Sequence, residues 1–150
     1  MAAWPTLDSD QQGEKIEELT STVLAALPAG WQRLEMEYRQ VGKHIDVRTG
    51  LTGENGETEV WEPPVEAWHR FQDLRGGMYR EGEGTWFAAR YVLAGPEHFT
   101  MQYSDEHEPA FREPLGSQDV AIEQHRFPRD EAHMPDWYRD ALTATATAAA

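Results

Sequence analysis

Apolar side chains recur at every second position on both sides of a short turn, and that alternation constrains the fold more than any other feature of the chain. Leu34, Met36 and Tyr38 alternate with Arg33, Glu35, Glu37 and Arg39. Beyond Val41-Gly42-Lys43, the residues Ile45, Val47, Thr49 and Leu51 alternate with His44, Asp46 and Arg48. Successive side chains of a strand point to opposite faces, so a period of two describes half-buried antiparallel strands and does not fit one stripe of a helix. Gly53-Glu54-Asn55-Gly56 then supplies a hairpin, since Asn-Gly accepts the positive φ of a type I′ turn, and a short third strand is expected through Thr58, Val60 and Trp61.

Helical spacing brackets this sheet. Asp8, Ser9 and Asp10 are capping types, followed by Ile16, Leu19, Val23 and Leu27 until Pro28-Ala29-Gly30 ends the pattern. After Glu62-Pro63-Pro64, a second apolar stripe of Val65, Trp68, Phe71, Leu74 and Met78 runs to Gly76-Gly77. From Thr85 to Leu93 both parities are largely apolar, as in a strand buried on both faces, with Phe87, Ala89 and Tyr91 assigned to one face and Trp86, Ala88 and Val92 to the other. Phe99, Met101 and Tyr103 mark a fifth strand. Residues 105–116 read as a loop, Ser117 as the cap of a short helix with Val120, Ala121 and Gln124, and Pro135-Asp136-Trp137 as the start of a last helix through Leu142. The expected fold is α+β: a single domain over residues 1–142 with an antiparallel sheet of about five strands, an N-terminal helix, one helix packed on the sheet and short C-terminal helices. Residues 143–150 are expected to be a frayed Ala/Thr tail. The core residues expected are Ile16, Leu19, Val23, Leu34, Met36, Val47, Trp68, Phe71, Phe87, Ala89, Tyr91, Phe99 and Met101.

A length of 150 residues suits one domain with a core of its own. Without cysteine, disulfides, thiolate metal sites and cysteine nucleophiles are excluded. Met1-Ala2-Ala3-Trp4-Pro5 does not read as a secretory leader and no long apolar run occurs, so a cytoplasmic protein is expected. The net charge of −14, from 27 acidic against 13 basic side chains, repels nucleic acid and anionic membranes and favours basic protein partners, although it also serves solubility alone.

No catalytic constellation is apparent. His107 and Glu108 lie together, and His125, Asp130, Glu131 and His133 crowd one segment, but none has the spacing of a zinc site, so neither metal nor cofactor is expected. Gly76, Gly77, Gly82 and Gly84 lack the Gly-Lys-Ser/Thr ending of a phosphate loop and sit beside Glu81 and Glu83. A helix end followed by a turn is the simpler reading. No nucleophile elbow is present, and paired carboxylates are too common in so acidic a chain to identify a site. The chain is accordingly read as a non-enzyme.

Pairing the last two strands by apolar parity sets Leu93 against Phe99, Tyr91 against Met101, Ala89 against Tyr103, Phe87 against Asp105 and Trp86 against Glu106. Glu81 and Glu83 then meet Asp105, Glu106 and Glu108 at one end of the sheet. Tyr79 and Trp86 are candidate aromatic anchors for a protein partner there. Charge that only keeps a strand end solvated is the competing reading.

Three segments carry a resemblance: residues 74–91, from Leu74-Arg-Gly-Gly-Met-Tyr through Gly-Thr-Trp-Phe; residues 99–109, Phe-Thr-Met-Gln-Tyr-Ser-Asp-Glu-His-Glu-Pro; and residues 127–137, Phe-Pro-Arg-Asp-Glu-Ala-His-Met-Pro-Asp-Trp. Together they resemble YezG-like antitoxin and immunity proteins, particularly actinobacterial forms encoded beside polymorphic toxins, over about residues 16–142. Tyr103-Ser104-Asp105 departs from the asparagine expected before the tyrosine-aspartate pair. The resemblance implies a cytoplasmic inhibitor of a cognate toxin domain, often a nuclease or another nucleotide-directed enzyme. It supplies no catalytic residues and no oligomeric state. The alternative expectation is a small enzyme or ligand-binding protein with a pocket between the sheet and the second helix.

Overall fold

The computed structural model describes residues 6–149. The start read as leaderless, Met1-Ala2-Ala3-Trp4-Pro5, and the final Ala150 lie outside them. The fold is α+β. In chain order the elements are α1 (Ser9–Ala26), β1 (Arg33–Val41), β2 (His44–Thr52), β3 (Thr58–Glu59), α2 (Val65–Gly77), β4 (Ala88–Leu93), β5 (Phe99–Ser104), α3 (Ser117–Arg126), a 3-10 turn (Glu131–His133) and α4 (Asp136–Ala149). The sheet is antiparallel throughout, in the order β3-β2-β1-β4-β5.

Asp8 starts α1 by a reciprocal cap: its carboxylate accepts from the Gln11 amide at 2.8 Å while the Asp8 amide donates to the Gln11 side chain at 3.0 Å. The helix buries Leu19 and Val23 on one face of the sheet, and the Thr20 and Tyr91 hydroxyls, 2.6 Å apart, fix it above β4. On the same face α2 brings Phe71 into a stack on Tyr38, with ring centroids 5.6 Å apart, and Leu74 is buried beside them. Between the sheet and α2, Tyr38, Trp68 and Phe71 pack ring against ring.

The opposite face is covered at one end by α3 and α4, which bury Val120 and Tyr138 against Val41 and Phe87. The lock there is an ion pair. Arg75 at the end of α2 and Glu123 of α3 are 2 % and 1 % exposed and meet at 2.6 Å. Glu123 also accepts from the Gly42 amide at 3.0 Å, and Arg75 donates to the Gln40 carbonyl at 2.9 Å. Gly42 has φ +60°, and a Cβ there would lie 2.2 Å from the Asp119 carbonyl oxygen, so only glycine lets the β1–β2 turn approach α3 this closely.

Five expectations need correction. Phe87 does not share a face with Ala89 and Tyr91: Phe87 donates its amide to the Ser104 carbonyl at 2.8 Å while Ala88 is also paired with Ser104. That extra residue is a β-bulge. It turns Phe87 toward α4 and Trp86 into the first core. Phe99 is 42 % exposed because β5 is the edge strand. The third strand contracts to two residues, and Val60 is 90 % exposed, because the Thr49 hydroxyl takes over the backbone amide and carbonyl of Trp61 at 3.0 and 2.5 Å. Ser117 begins α3 and does not cap it. Helix α4 continues through the alanine/threonine run to Ala149, with the Thr145 hydroxyl donating to the Ser117 carbonyl at 2.8 Å.

Replacing Glu123 with alanine strands the Arg75 charge in the interior. It should cost about 3–5 kcal/mol in chemical denaturation, whereas a joint Arg75→Met, Glu123→Leu replacement should recover most of that loss. Equal losses in the single and double variants would show that the packing of Glu123, not its charge, holds α3 in place.

Candidate protein-binding surface

The end of the sheet where α4 docks is organised by one buried cation. Helix α3 stops before Pro128, and Gln124 bridges the next turn: its side chain accepts from the Arg129 amide and donates to the Arg129 carbonyl, both at 3.0 Å. The Arg129 backbone bridges to Gly82 and Glu83, and the Asp130 amide donates to the Gly82 carbonyl at 2.7 Å. The Arg129 side chain, 5 % exposed, reaches inward and donates to the carbonyls of Asp105 at 3.1 Å, His133 at 2.9 Å and Thr85 at 2.8 Å. Its guanidinium lies 4.4 Å from the Phe87 ring centroid and 5.5 Å from that of Tyr138. Burial presses the Arg129 pKa downward, opposed by Tyr138, Glu123 and Asp105.

The glycine-rich run is the seat of this cation. Gly82 and Gly84 have φ +78° and +83°, and a Cβ on Gly84 would stand 2.2 Å from Arg129 Nε. The turn closes through Arg80 and Gly84, whose amides each donate to the other's carbonyl at 3.1 Å, leaving Glu81 and Glu83 exposed.

Ala89↔Tyr103, Tyr91↔Met101 and Leu93↔Phe99 pair as the sequence predicts. The ladder ends at Ala88↔Ser104, so Phe87 against Asp105 and Trp86 against Glu106 are not strand pairs. Arg129 replaces them as the link. It joins the loop bearing Glu81 and Glu83 to the turn bearing Asp105, Glu106 and Glu108, all five exposed. Exposed Asp130 and Glu131 come with the Arg129 segment and enlarge the cluster. No local signal in the sequence tied them to it.

The aromatic anchors fare differently. Trp86 is 2 % exposed, packed between Tyr38 and Tyr103, and cannot reach a partner. Tyr79 is half-buried, its hydroxyl donating to the Pro128 carbonyl at 2.8 Å. The aromatic side chain beside the acidic turn is half-buried Trp137, whose indole donates to the Glu106 carbonyl at 2.7 Å. Among the described residues no group of three or more His, Asp and Glu side chains could hold a metal ion. His107, His125 and His133 are all exposed. No helix among these residues is long and apolar enough to cross a membrane.

No protein-family model matches the chain, and no curated protein matches it in sequence.

Arg129→Met should destabilise the protein by about 2–4 kcal/mol, since three buried carbonyls lose a charged donor. Amide exchange should accelerate in residues 80–85 and 105–108 before it does in β1 and β2. Uniform acceleration would show that Arg129 serves the whole fold and not this end of it.

Burial pushes the Tyr103 phenol up to about 12 from the ordinary 10.0, and also raises Tyr38, Tyr91 and Tyr138. A raised phenol pKa favours the neutral form in the folded state. Its contribution is therefore complete below pH 10.0 and lost as pH climbs toward about 12. Stability should fall over that window, with phenolate absorbance rising together with unfolding. Tyr103→Phe should lessen the fall while leaving stability at neutral pH unchanged or slightly higher, because the Tyr103 hydroxyl is buried without a partner.

Proposed function

We propose that this chain is a cytoplasmic immunity protein, an antitoxin that binds the catalytic domain of a cognate toxin and blocks it by protein-protein contact, without catalysis of its own. The observation that carries the proposal is the convergence of Glu81, Glu83, Asp105, Glu106 and Glu108, with Asp130 and Glu131, around the frame set by Arg129. Buried contacts already hold the backbone of these loops, so opposing a cationic surface requires ordering only the carboxylate side chains and not the loops that carry them. An enzyme that acts on nucleic acid or nucleotides presents such a surface, which fits the nuclease-type toxins implied by the resemblance to YezG-like proteins. The net charge of −14 disfavours nucleic acid itself and anionic membrane as partners.

The test is binding and neutralisation of the product of the adjacent upstream gene, with wild type compared against the quadruple variant Glu81→Lys, Glu83→Lys, Glu106→Lys, Glu108→Lys. All four positions are exposed, so the fold should survive. Association at low salt should slow by about 10–100-fold and protection should weaken, with the difference shrinking as salt is added. Unchanged association at low salt would remove the patch from the interface. A neighbouring gene product that neither binds nor is inhibited would remove the immunity reading itself.

A further inference from the structure

The two edges of the sheet are built differently. On the β2 side the ladder is closed off: β3 pairs through only Thr58 and Glu59, the Thr49 hydroxyl occupies the backbone of Trp61, and Arg112 donates to the Val47 carbonyl at 2.9 Å. The β5 side has no such device. Over six residues, Phe99-Thr-Met-Gln-Tyr-Ser, it carries no charge, no proline and no bulge of its own. Sheet edges of soluble proteins are ordinarily blunted by one of these, because unpaired backbone groups invite another strand.

The hydrogen-bond phase of β5 follows from its turn. Ala94 donates to the His98 carbonyl at 2.8 Å, so alternate pairing directs the backbone groups of Thr100 and Gln102 toward β4 and those of Phe99, Met101 and Tyr103 outward. Among the described residues these outward groups have no backbone or side-chain partner. Phe99, exposed, and Met101, half-buried, line one face of the edge, while exposed Thr100 and Gln102 line the other. Exposed Glu97 stands before the strand, and exposed Asp105 and Glu106 stand after it.

We infer that the outer edge of β5 receives an extended strand from a basic protein partner, which pairs with the backbone of Phe99, Met101 and Tyr103 and sets lysine or arginine against the acids at both ends. The added strand alternates apolar residues beside Phe99 and Met101 with polar ones beside Thr100 and Gln102. Charge selects this occupant over a second copy of the chain. Two β5 strands paired antiparallel about a two-fold axis would bring Glu97 of each copy toward Asp105 and Glu106 of the other. The inference deepens the proposed function by naming the chemistry the partner presents, and it rests on that reading only for the partner being a toxin.

The probe is a capped peptide, Lys-Lys-Val-Thr-Val-Thr-Val-Lys-Lys, added to the isotope-labelled full chain while amide exchange is followed residue by residue. The Phe99, Met101 and Tyr103 amides should exchange at least about tenfold more slowly with peptide bound, while those of Thr100 and Gln102 stay protected throughout. Joint Thr100→Lys and Gln102→Lys replacement should weaken peptide binding about tenfold without altering the fold, and a peptide with glutamate in place of lysine should give no protection. Absence of saturable binding, saturation without protection of the three amides, or equal protection by the glutamate peptide would each overturn the inference. Protection that develops in the protein alone as its concentration rises would assign the edge to a second copy. Toxin neutralised with these amides unaffected sinks the edge and leaves the inhibitor. Amides protected by peptide, with no toxin neutralised, does the reverse.

Discussion

Arg129 carries its charge in a place nearly closed to water, and the candidate surface depends on how that charge is satisfied. No carboxylate among the described residues lies within ion-pair distance of it. Three backbone carbonyls and the faces of Phe87 and Tyr138 take that role. The carbonyls belong to Thr85, Asp105 and His133, so burying one guanidinium requires three distant stretches of chain to converge. The side chains that project outward from those stretches are mostly acids. With Arg75 and Arg129 withdrawn into the interior, and only Arg75 neutralised there by a buried acid, the surface is more negative than the composition alone implies.

Glu123 does for the two halves of the molecule what Arg129 does for its end. By binding Arg75 of α2 and the Gly42 amide of the β1–β2 turn, one carboxylate of α3 clamps the C-terminal helices onto elements formed by the first half of the chain. The apolar contacts around it, from Val41, Val120 and Tyr138, exclude the water that would otherwise compete for both charges. The second core and the buried ion pair are therefore mutually dependent.

What was legible in the sequence is what periodicity encodes. Strands β1 and β2, α1 and α2, and the register of β4 on β5 all follow from patterns of two or of three to four residues; a hairpin does form at Gly53–Gly56, but only Gly56, at φ +78°, is left-handed, so it is not the type I′ turn that Asn-Gly suggests. What was hidden is what periodicity cannot carry. In the continuous apolar run ending at Leu93 an inserted residue leaves no parity signal, so parity sets Phe87 beside Ala89 and Tyr91 and does not show the bulge that turns Trp86 into their core. Arg75, Glu123 and Arg129 look like solvated charges because burial of a charge is decided by partners far away in sequence. Phe99 keeps the parity assigned to it but lies on an edge strand, and strand order is not written in a local pattern. The meeting of Glu81 and Glu83 with Asp105 was anticipated from register, whereas the structure achieves it through Arg129.

The arrangement also separates two tasks that a protein-binding surface must perform. Backbone groups on a strand edge supply affinity that is nearly independent of sequence, so an edge left open on its own would pair with any extended chain, including copies of itself. Charges held at the ends of the strand discriminate, because they repel acidic strands and draw in basic ones before any hydrogen bond forms. The opposite edge, where exposed Glu57, Glu59 and Glu62 also stand, is closed by β3, Thr49 and Arg112. The edge that stays open is the one whose far end runs into the acids framed by Arg129, so the buried cation places a cluster of charge where an incoming strand would end.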